Sequence, residues 1–328
     1  MTTVFVTGAT GLTGSNVCDQ LIKRGDDVRA LVRPTSDTAA LAQMGVDLVE
    51  GDIKEAADVR RAAEGCDAAI HTAALLGAAQ QDLTEFQAVN ATGTTHVLDA
   101  AAALDMRRVV ALSTGTFFDD TAPGISIEDA PVADQSSGDP YNQTKLAAFQ
   151  EAHNRAAAGQ DVVTCHPGAI FGPAPVVSRA MAATSFNRVL RGALRGKLTA
   201  YIRFPVTWVL ATDVAWGSIA ALDKGVAGER YMLQGRPQDV MSVAACCNHL
   251  CEMAGIDHRV RDLDPADDPE LAAAFGPTMV AIAEKRADGQ EGASRETPRT
   301  TSRLGYDPTP FDDGLGQFLA WLRELGQI

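Results

Sequence analysis

Thr7-Gly-Ala-Thr-Gly-Leu-Thr-Gly14 is the stretch that decides how this chain folds. The residues before it, Thr3-Val-Phe-Val-Thr7, are β-branched or aromatic and read as a buried strand. Residues 13–24 carry the apolar spacing of a helix. A strand, a glycine-rich turn and a helix in that order form the opening of a dinucleotide-binding unit. Gly8 permits the tight turn, Gly11 lets backbone approach a pyrophosphate, and Gly14 lets the helix pack closely. The helix start then offers amides and a partial positive charge to phosphate. Gly8, Thr10, Gly11, Leu12 and Thr13 are therefore the candidate phosphate contacts.

The same alternation continues outward. Strands are expected at 3–7, 28–32, 47–50, 68–71, 108–113 and 161–166. Helices are expected between them at 13–24, 38–44, 56–63, 86–104 and 141–158. Apolar strand runs separated by helices imply a parallel sheet covered on both faces. The expected class is α/β, a Rossmann-type doubly wound parallel sheet with a smaller C-terminal substrate-binding lobe. Pro173 and Pro175 interrupt the pattern, which divides the chain into 1–172 and 173–328. Within the second part 204–224 is expected to return to the first core. Helices at 178–192, 240–254 and 310–325 and a polar loop at 286–303 complete the expectation.

At 328 residues, 46% hydrophobic and 21% charged, the chain can bury a large core. A net charge of −14 argues against a nucleic-acid surface and against anionic membranes. No apolar run reaches the roughly 20 residues that span a bilayer, and no signal-peptide pattern opens the chain. The six cysteines lack the spacing of a zinc site or a disulfide scaffold, and no metal is expected. A reduced, cytoplasmic protein is the expectation.

The end of the second strand selects the cofactor. An acid there would bind the ribose 2′-hydroxyl of NAD. This chain reads Leu31-Val32-Arg33-Pro34-Thr35-Ser36, and Arg33 suits a 2′-phosphate. NADP(H) is therefore preferred, with NAD(H) possible. After the third strand, Asp52 suits the adenine amine and Ile53 its ring; Asp52 suits equally well as a helix N-cap.

Tyr141 and Lys145 stand one helical turn apart on one face. A phenol beside an ammonium exchanges a proton more readily than its reference pKa of about 10 allows. That chemistry serves a carbonyl oxygen.

Taken together, these motifs resemble the extended short-chain dehydrogenase/reductase family, of NAD(P)-dependent epimerase/dehydratase type. The resemblance runs from Thr7 to about residue 235 and is nearest the dihydroflavonol reductase and 3β-hydroxysteroid dehydrogenase branch. His71-Thr72-Ala73-Ala74 matches the turn along the cofactor, and Asn90 matches a structural asparagine on the long helix. Ser113-Thr114 ends the fifth strand, where the family places a catalytic hydroxyl. His166-Pro167-Gly168 and Ile170 fall beside the nicotinamide position. The resemblance implies Tyr141 as proton donor, Lys145 as holder of the nicotinamide ribose, and Thr114 as a second donor to the substrate oxygen. Chain spacing alone does not separate Ser113 from Thr114; the family's second hydroxyl position falls on Thr114. It implies a homodimer through the Ala-rich helices 90–104 and 141–158.

Sugar-nucleotide members of the family carry Asn where this chain has Ala169, and a methyl cannot hydrogen-bond phosphate. A ketone or aldehyde reductase is thus expected before a nucleotide-sugar epimerase/dehydratase or a non-catalytic NADP sensor. Candidate substrate contacts are Leu75, Thr116, Phe117 and Asn142 near the sheet, with Phe171, Phe186 and Tyr201 further along. Most are apolar, which suits a hydrophobic molecule. Arg188, Arg191, Arg195 and Lys197 leave room for an anionic group, although a solvated helix face is the commoner outcome.

Overall fold

A computed structural model describes residues 2–76, 82–119, 124–132, 140–275, 279–280, 283–284 and 294–328. Strand β1 (Thr3–Thr7) lies between β2 (Asp27–Val32) and β4 (Ala68–His71), in parallel with both. With β3 (Asp47–Glu50), β5 (Val109–Leu112), β6 (Val162–Pro167) and β10 (Arg230–Leu233), the described order is β3-β2-β1-β4-β5-β6-β10. Every pairing in that sheet is parallel. Val6 faces Ala30 on one side and Ile70 on the other, and Ile70 faces Val110, which faces Val163. That row lies on one face, and the row one residue earlier, Phe5, Ala69, Val109 and Val162, lies buried on the other, which only a doubly covered sheet can achieve.

Helices α1 (Leu12–Arg24) and α9 (Ala211–Lys224) cover one face, where Val17, Leu21, Val214 and Leu222 are buried. Helices α3 (Ala56–Ala63), α5 (Gly93–Ala103) and α6 (Pro140–Ala157) cover the other, with Val59, Leu98, Ala101 and Ala152 buried. Helix α1 ends where Gly25 takes φ 91° and its amide bonds the Ile22 carbonyl. Lys23 and Arg24 in its last turn complement the helix dipole.

Strand order reverses between β1 and β4, so the carboxyl ends of those strands open a crevice. A six-residue π turn, Gln87–Thr92, joins α4 (Leu83–Phe86) to α5 beside it. The long helix expected at 86–104 is thus one structure with a widened segment.

The second lobe has its own core. Phe171, Trp208, Leu190, Cys247, Leu250, Phe318 and Leu322 pack together. They come from β7 (Ala169–Phe171), β9 (Trp208–Leu210), α8 (Phe186–Leu194), α10 (Val243–Ala254) and the C-terminal helix Phe311–Glu324. The return to the first core runs further than expected: α9 and β10 belong to the sheet layer, so it reaches Leu233.

Two expectations need correction. The helix expected at 178–192 is broken into Val177–Ala180 and Phe186–Leu194. The Ser185 hydroxyl accepts from the Asn187 amide, and the Asn187 side chain binds Gly172 N and O at 2.8 Å each, so local polar groups outbid the helix. Of the expected loop 286–303, residues 286–293 lie outside the described residues, and Pro298–Leu304 is a helix. Pro298 opens it, and the buried Glu128 carboxylate accepts its Arg299 and Thr300 amides at 2.7 Å.

Candidate active site

The glycine loop is built by contact. Gly8 has φ 71°, and a Cβ there would lie 2.6 Å from the Ala73 nitrogen. A Cβ on Gly14 would lie 2.2 Å from the Gly8 oxygen and 2.7 Å from Thr72 Oγ1. The close approach of Gly14 is therefore to the loop itself and to the turn after β4. Gly11 caps α1 without a side-chain bond, and no acidic residue sits in the first turn. The amides of Leu12 and Thr13 at that helix start suit phosphate, so the residues present fit the diphosphate of a dinucleotide.

Arg33 lies exposed just beyond β2, and the Ser36 amide bonds its carbonyl at 2.9 Å. Asp52 accepts the Lys54 amide at 3.0 Å in the turn before α3, and Lys54 Nζ lies 3.8 Å away; the N-cap of α3 is Glu55, not Asp52. Ile53 packs against Gly93. Thr72, Ala73 and Ala74 are half-buried along the crevice, and Thr72 Oγ1 donates to the Thr7 carbonyl at 2.8 Å. Leu75 is held by Asn90.

Lys145 is 3% exposed, and its Nζ donates to the Leu112 carbonyl at 2.7 Å. That carbonyl ends β5, two residues before Thr114. Burial lowers the Lys145 pKa from 10.5 to about 8. Tyr141 stands one turn earlier on α6, half-buried, its carbonyl 3.1 Å from Thr144 Oγ1. Thr114 Oγ1 lies 2.9 Å from Thr116 Oγ1, and Thr116 in turn donates to Asn142 beside Tyr141. The structure so gathers Thr114, Thr116, Asn142 and Lys145 near the carboxyl end of β5, with Tyr141 next to Asn142 along α6.

Ser113 faces elsewhere. Its hydroxyl is buried without a hydrogen-bond partner among the described residues. It lines a small cavity of about 10 Å³ with Thr94, Lys145 and Thr164, room for about one water molecule. Thr114 is the hydroxyl on the Thr116–Asn142 side.

Two buried histidines surround these groups; the sequence places them in segments along the cofactor but assigns neither a role. His71 joins Thr7 Oγ1 at 2.6 Å to Thr94 Oγ1 at 2.9 Å. His166 joins the Thr114 carbonyl at 2.8 Å to Thr164 Oγ1 at 3.0 Å. Burial pushes both down from 6.5 to about 3, so both are neutral. Their positions at strand ends were visible in the sequence; their partners were not.

Among the later candidates, Pro167, Gly168 and Ile170 are half-buried at the end of β6 and on β7. A Cβ on Gly168 would meet the Thr207 oxygen at 2.2 Å, which accounts for the glycine. Phe117 and Phe171 are corrections as substrate contacts. Phe117 is fully buried against Phe118, Phe149 and His166, and Phe171 is 1% exposed against Trp208, Phe311 and Phe318. Their ring surface is used in packing. Phe186 stacks edge-on against Trp208, and Tyr201 against Phe275, though both keep some exposure. Arg191 and Arg195 reach Gln327 near the C-terminus, which leaves the basic cluster anchoring the chain end. Among the described residues, no group of three His, Cys, Asp or Glu is placed to hold a metal, and no helix is long and apolar enough to cross a membrane.

A parallel sheet of this order, a glycine loop at its first turn and a Tyr-x-x-x-Lys helix beside β5 define an extended short-chain dehydrogenase/reductase fold. The sequence model of the NAD dependent epimerase/dehydratase family matches residues 4–233, and this chain belongs to that family. It is 28% identical to sterol demethylase protein B of Methylococcus capsulatus, over 99% of this chain and 100% of the relative. It is 30% identical to a putative dihydroflavonol 4-reductase of Synechocystis, over 77% of this chain and 72% of the relative. The crystal structure of gox2253 superimposes with a TM-score of 0.83 at 25% identity, covering 100% of both chains. A UDP-glucuronic acid 4-epimerase from Bacillus cereus, in complex with NAD, shares the fold at a TM-score of 0.75 and 20% identity, over 98% of this chain and 97% of that one.

Proposed function

We propose that this chain is an NADPH-dependent oxidoreductase that reduces a ketone or aldehyde on a mostly hydrophobic small molecule, or oxidises the corresponding secondary alcohol. The observation that carries the reading is that Lys145 bonds the last carbonyl of β5 while Thr114, through Thr116, is linked to Asn142, the residue after Tyr141 on the same helix. A bound nicotinamide cofactor would supply or accept the hydride. The chain's own groups then manage the substrate oxygen. Tyr141 gives it a proton, and Thr114 turns its hydroxyl from Thr116 to the same oxygen. The Lys145 ammonium, held in the interior, favours the ionised phenol and suits a ribose hydroxyl.

Relatives named as reductases support the choice. A 4-hydroxy-2-methyl-3-oxo-4-farnesyl-3,4-dihydroquinoline-1-oxide ketoreductase of Stigmatella aurantiaca is 28% identical over 84% of this chain and 80% of the relative. Ala169 weighs against a nucleotide-sugar epimerase/dehydratase, because its methyl offers diphosphate no hydrogen bond. Arg33 supports NADPH over NADH through its match to a 2′-phosphate.

The test is purified protein with NADPH and a panel of aromatic, steroidal and long-chain ketones. Loss of the reduced-nicotinamide absorbance with an apolar ketone is expected. No loss with any ketone, together with turnover of a UDP-sugar, would overturn the reading.

A further inference from the structure

The β5–β6 pairing does not stop where its strands do. Leu112 pairs with Cys165, and the Ser113 amide bonds the Cys165 carbonyl at 2.7 Å. The next bond comes from a side chain: His166 Nδ1 lies 2.8 Å from the Thr114 carbonyl. A carbonyl carries no proton, so Nδ1 is the protonated nitrogen. A neutral ring has one such proton, and Nε2, 3.0 Å from Thr164 Oγ1, therefore accepts from that hydroxyl. The ring is 0% exposed and boxed by Phe118, Phe149 and Phe117 at centroid distances of 5.0, 5.4 and 5.9 Å. Packing and both ring nitrogens thus leave the imidazole one orientation. Beyond Thr114 the restraints are local: the Thr116 amide bonds Thr114 Oγ1 at 3.2 Å and the Phe118 amide bonds the Gly115 carbonyl at 3.2 Å, so it is the His166 bond that ties this turn to β6.

We propose that His166 is a positioning residue: its Nδ1–H fixes the backbone of Thr114, from which the Thr114 hydroxyl reaches Thr116 and the substrate oxygen. This rests on Thr114 being a donor to that oxygen. His166, 0% exposed, offers no surface to a ligand and acts through one peptide carbonyl.

Three variants separate positioning from simple packing. In His166→Asn the amide nitrogen stands near the place of Nδ1 and can still donate to Thr114. In His166→Met the volume is kept and the donor is lost. In His166→Gln the donor moves to the Thr164 side. With an apolar ketone that the wild type turns over, kcat is expected to fall about 30-fold or more in the Met and Gln variants, on the scale of a misplaced catalytic group. The Asn variant is expected to stay within about 3-fold, and NADPH binding within about 2-fold throughout. In a Thr114→Ala background, His166→Met is expected to lower kcat no further, because the two act through one hydroxyl. Equal kcat in the Asn and Met variants, or full additivity with Thr114→Ala, overturns the inference alone. Long-range ¹H–¹⁵N NMR at pH 7 gives a check without turnover: the Nδ1–H tautomer is expected for His166, and an Nε2–H tautomer or an imidazolium overturns the inference. A wild type that reduces no ketone overturns the Thr114 reading, and the inference with it.

Discussion

Asn90 holds the backbone of Leu75 from both sides. Its Oδ1 accepts the Leu75 amide at 2.7 Å and its Nδ2 donates to the Leu75 carbonyl at 3.2 Å. The same Nδ2 lies 3.2 Å from Thr144 Oγ1, on the helix that carries Tyr141 and Lys145. One buried amide thus ties the turn after β4 to the proton-transfer helix. Asn90→Ala leaves the half-buried Leu75 amide and carbonyl unpaired, which costs about 1–3 kcal/mol in all once partial access to water is allowed for. A urea melt is expected to show a loss of at least that size, with kcat reduced in the residual folded protein. Unchanged stability would mean that other groups satisfy Leu75.

Tyr141→Phe removes the phenolic proton and keeps the ring. Turnover of a ketone is expected to fall by about 10²-fold or more, the usual loss when a general acid is deleted. The dissociation constant for NADPH, read by fluorescence titration, is expected to stay put. An unchanged kcat would remove Tyr141 from the mechanism.

Arg33→Ala tests the cofactor preference. A charge-assisted bond to a 2′-phosphate is worth about 1.5–3 kcal/mol, or roughly 10-fold to 100-fold in affinity. NADPH is expected to weaken by that factor and NADH by much less. Equal weakening of the two would reject Arg33 as the discriminating group.

Gly14→Ala adds a methyl 2.2 Å from the Gly8 oxygen, where backbone cannot yield cheaply. Loss of nucleotide binding is expected, accompanied by a lower Tm. Wild-type affinity in this variant would show that the loop opens without consequence.

Two pH effects have opposite signs. His71 and His166 stay neutral in the fold down to about 3, whereas in the unfolded chain they gain protons below about 6.5. The unfolded state then binds more protons, so stability falls on acidification below about 6.5, by up to ~1.4 kcal/mol per pH unit per histidine. Urea melts at pH 7, 6 and 5 read this directly; a flat profile would contradict the buried neutral rings. Lys145 acts at the other end. Its folded pKa is about 8 against 10.5 for the free group, so its proton is lost as pH rises through about 8. Ketone reduction is expected to decline above about pH 8, although this group's contribution to stability rises between about 8 and 10.5.

Much of the scaffold was legible in the sequence because its signals are local. The run Thr3–Thr7, three glycines in the next seven residues and an amphipathic helix need no distant partner to be recognised. Strands 47–50 and 68–71 and the helix 56–63 fell where apolar periodicity placed them. The π turn at Gln87–Thr92 was not legible, because a widened turn keeps a helical composition. The broken helix near Ser185 was missed because its cause is the backbone of Gly172, 15 residues upstream of Asn187.

By itself the sequence determined the α/β class, the glycine loop, the placing of Arg33 after the second strand, and the pairing of Tyr141 with Lys145 on one helical face. Glycine sterics and side-chain periodicity act over a few residues, so they can be read along the chain. Only the tertiary structure decided that Ser113 lines a small cavity with Thr94 and Thr164 while Thr114 bonds toward the Thr116–Asn142 pair. It alone put Lys145 on the Leu112 carbonyl and His166 on the Thr114 carbonyl, across 33 and 52 residues. A buried polar group must find its partner wherever the folded chain brings one, and that choice is made by packing between distant segments.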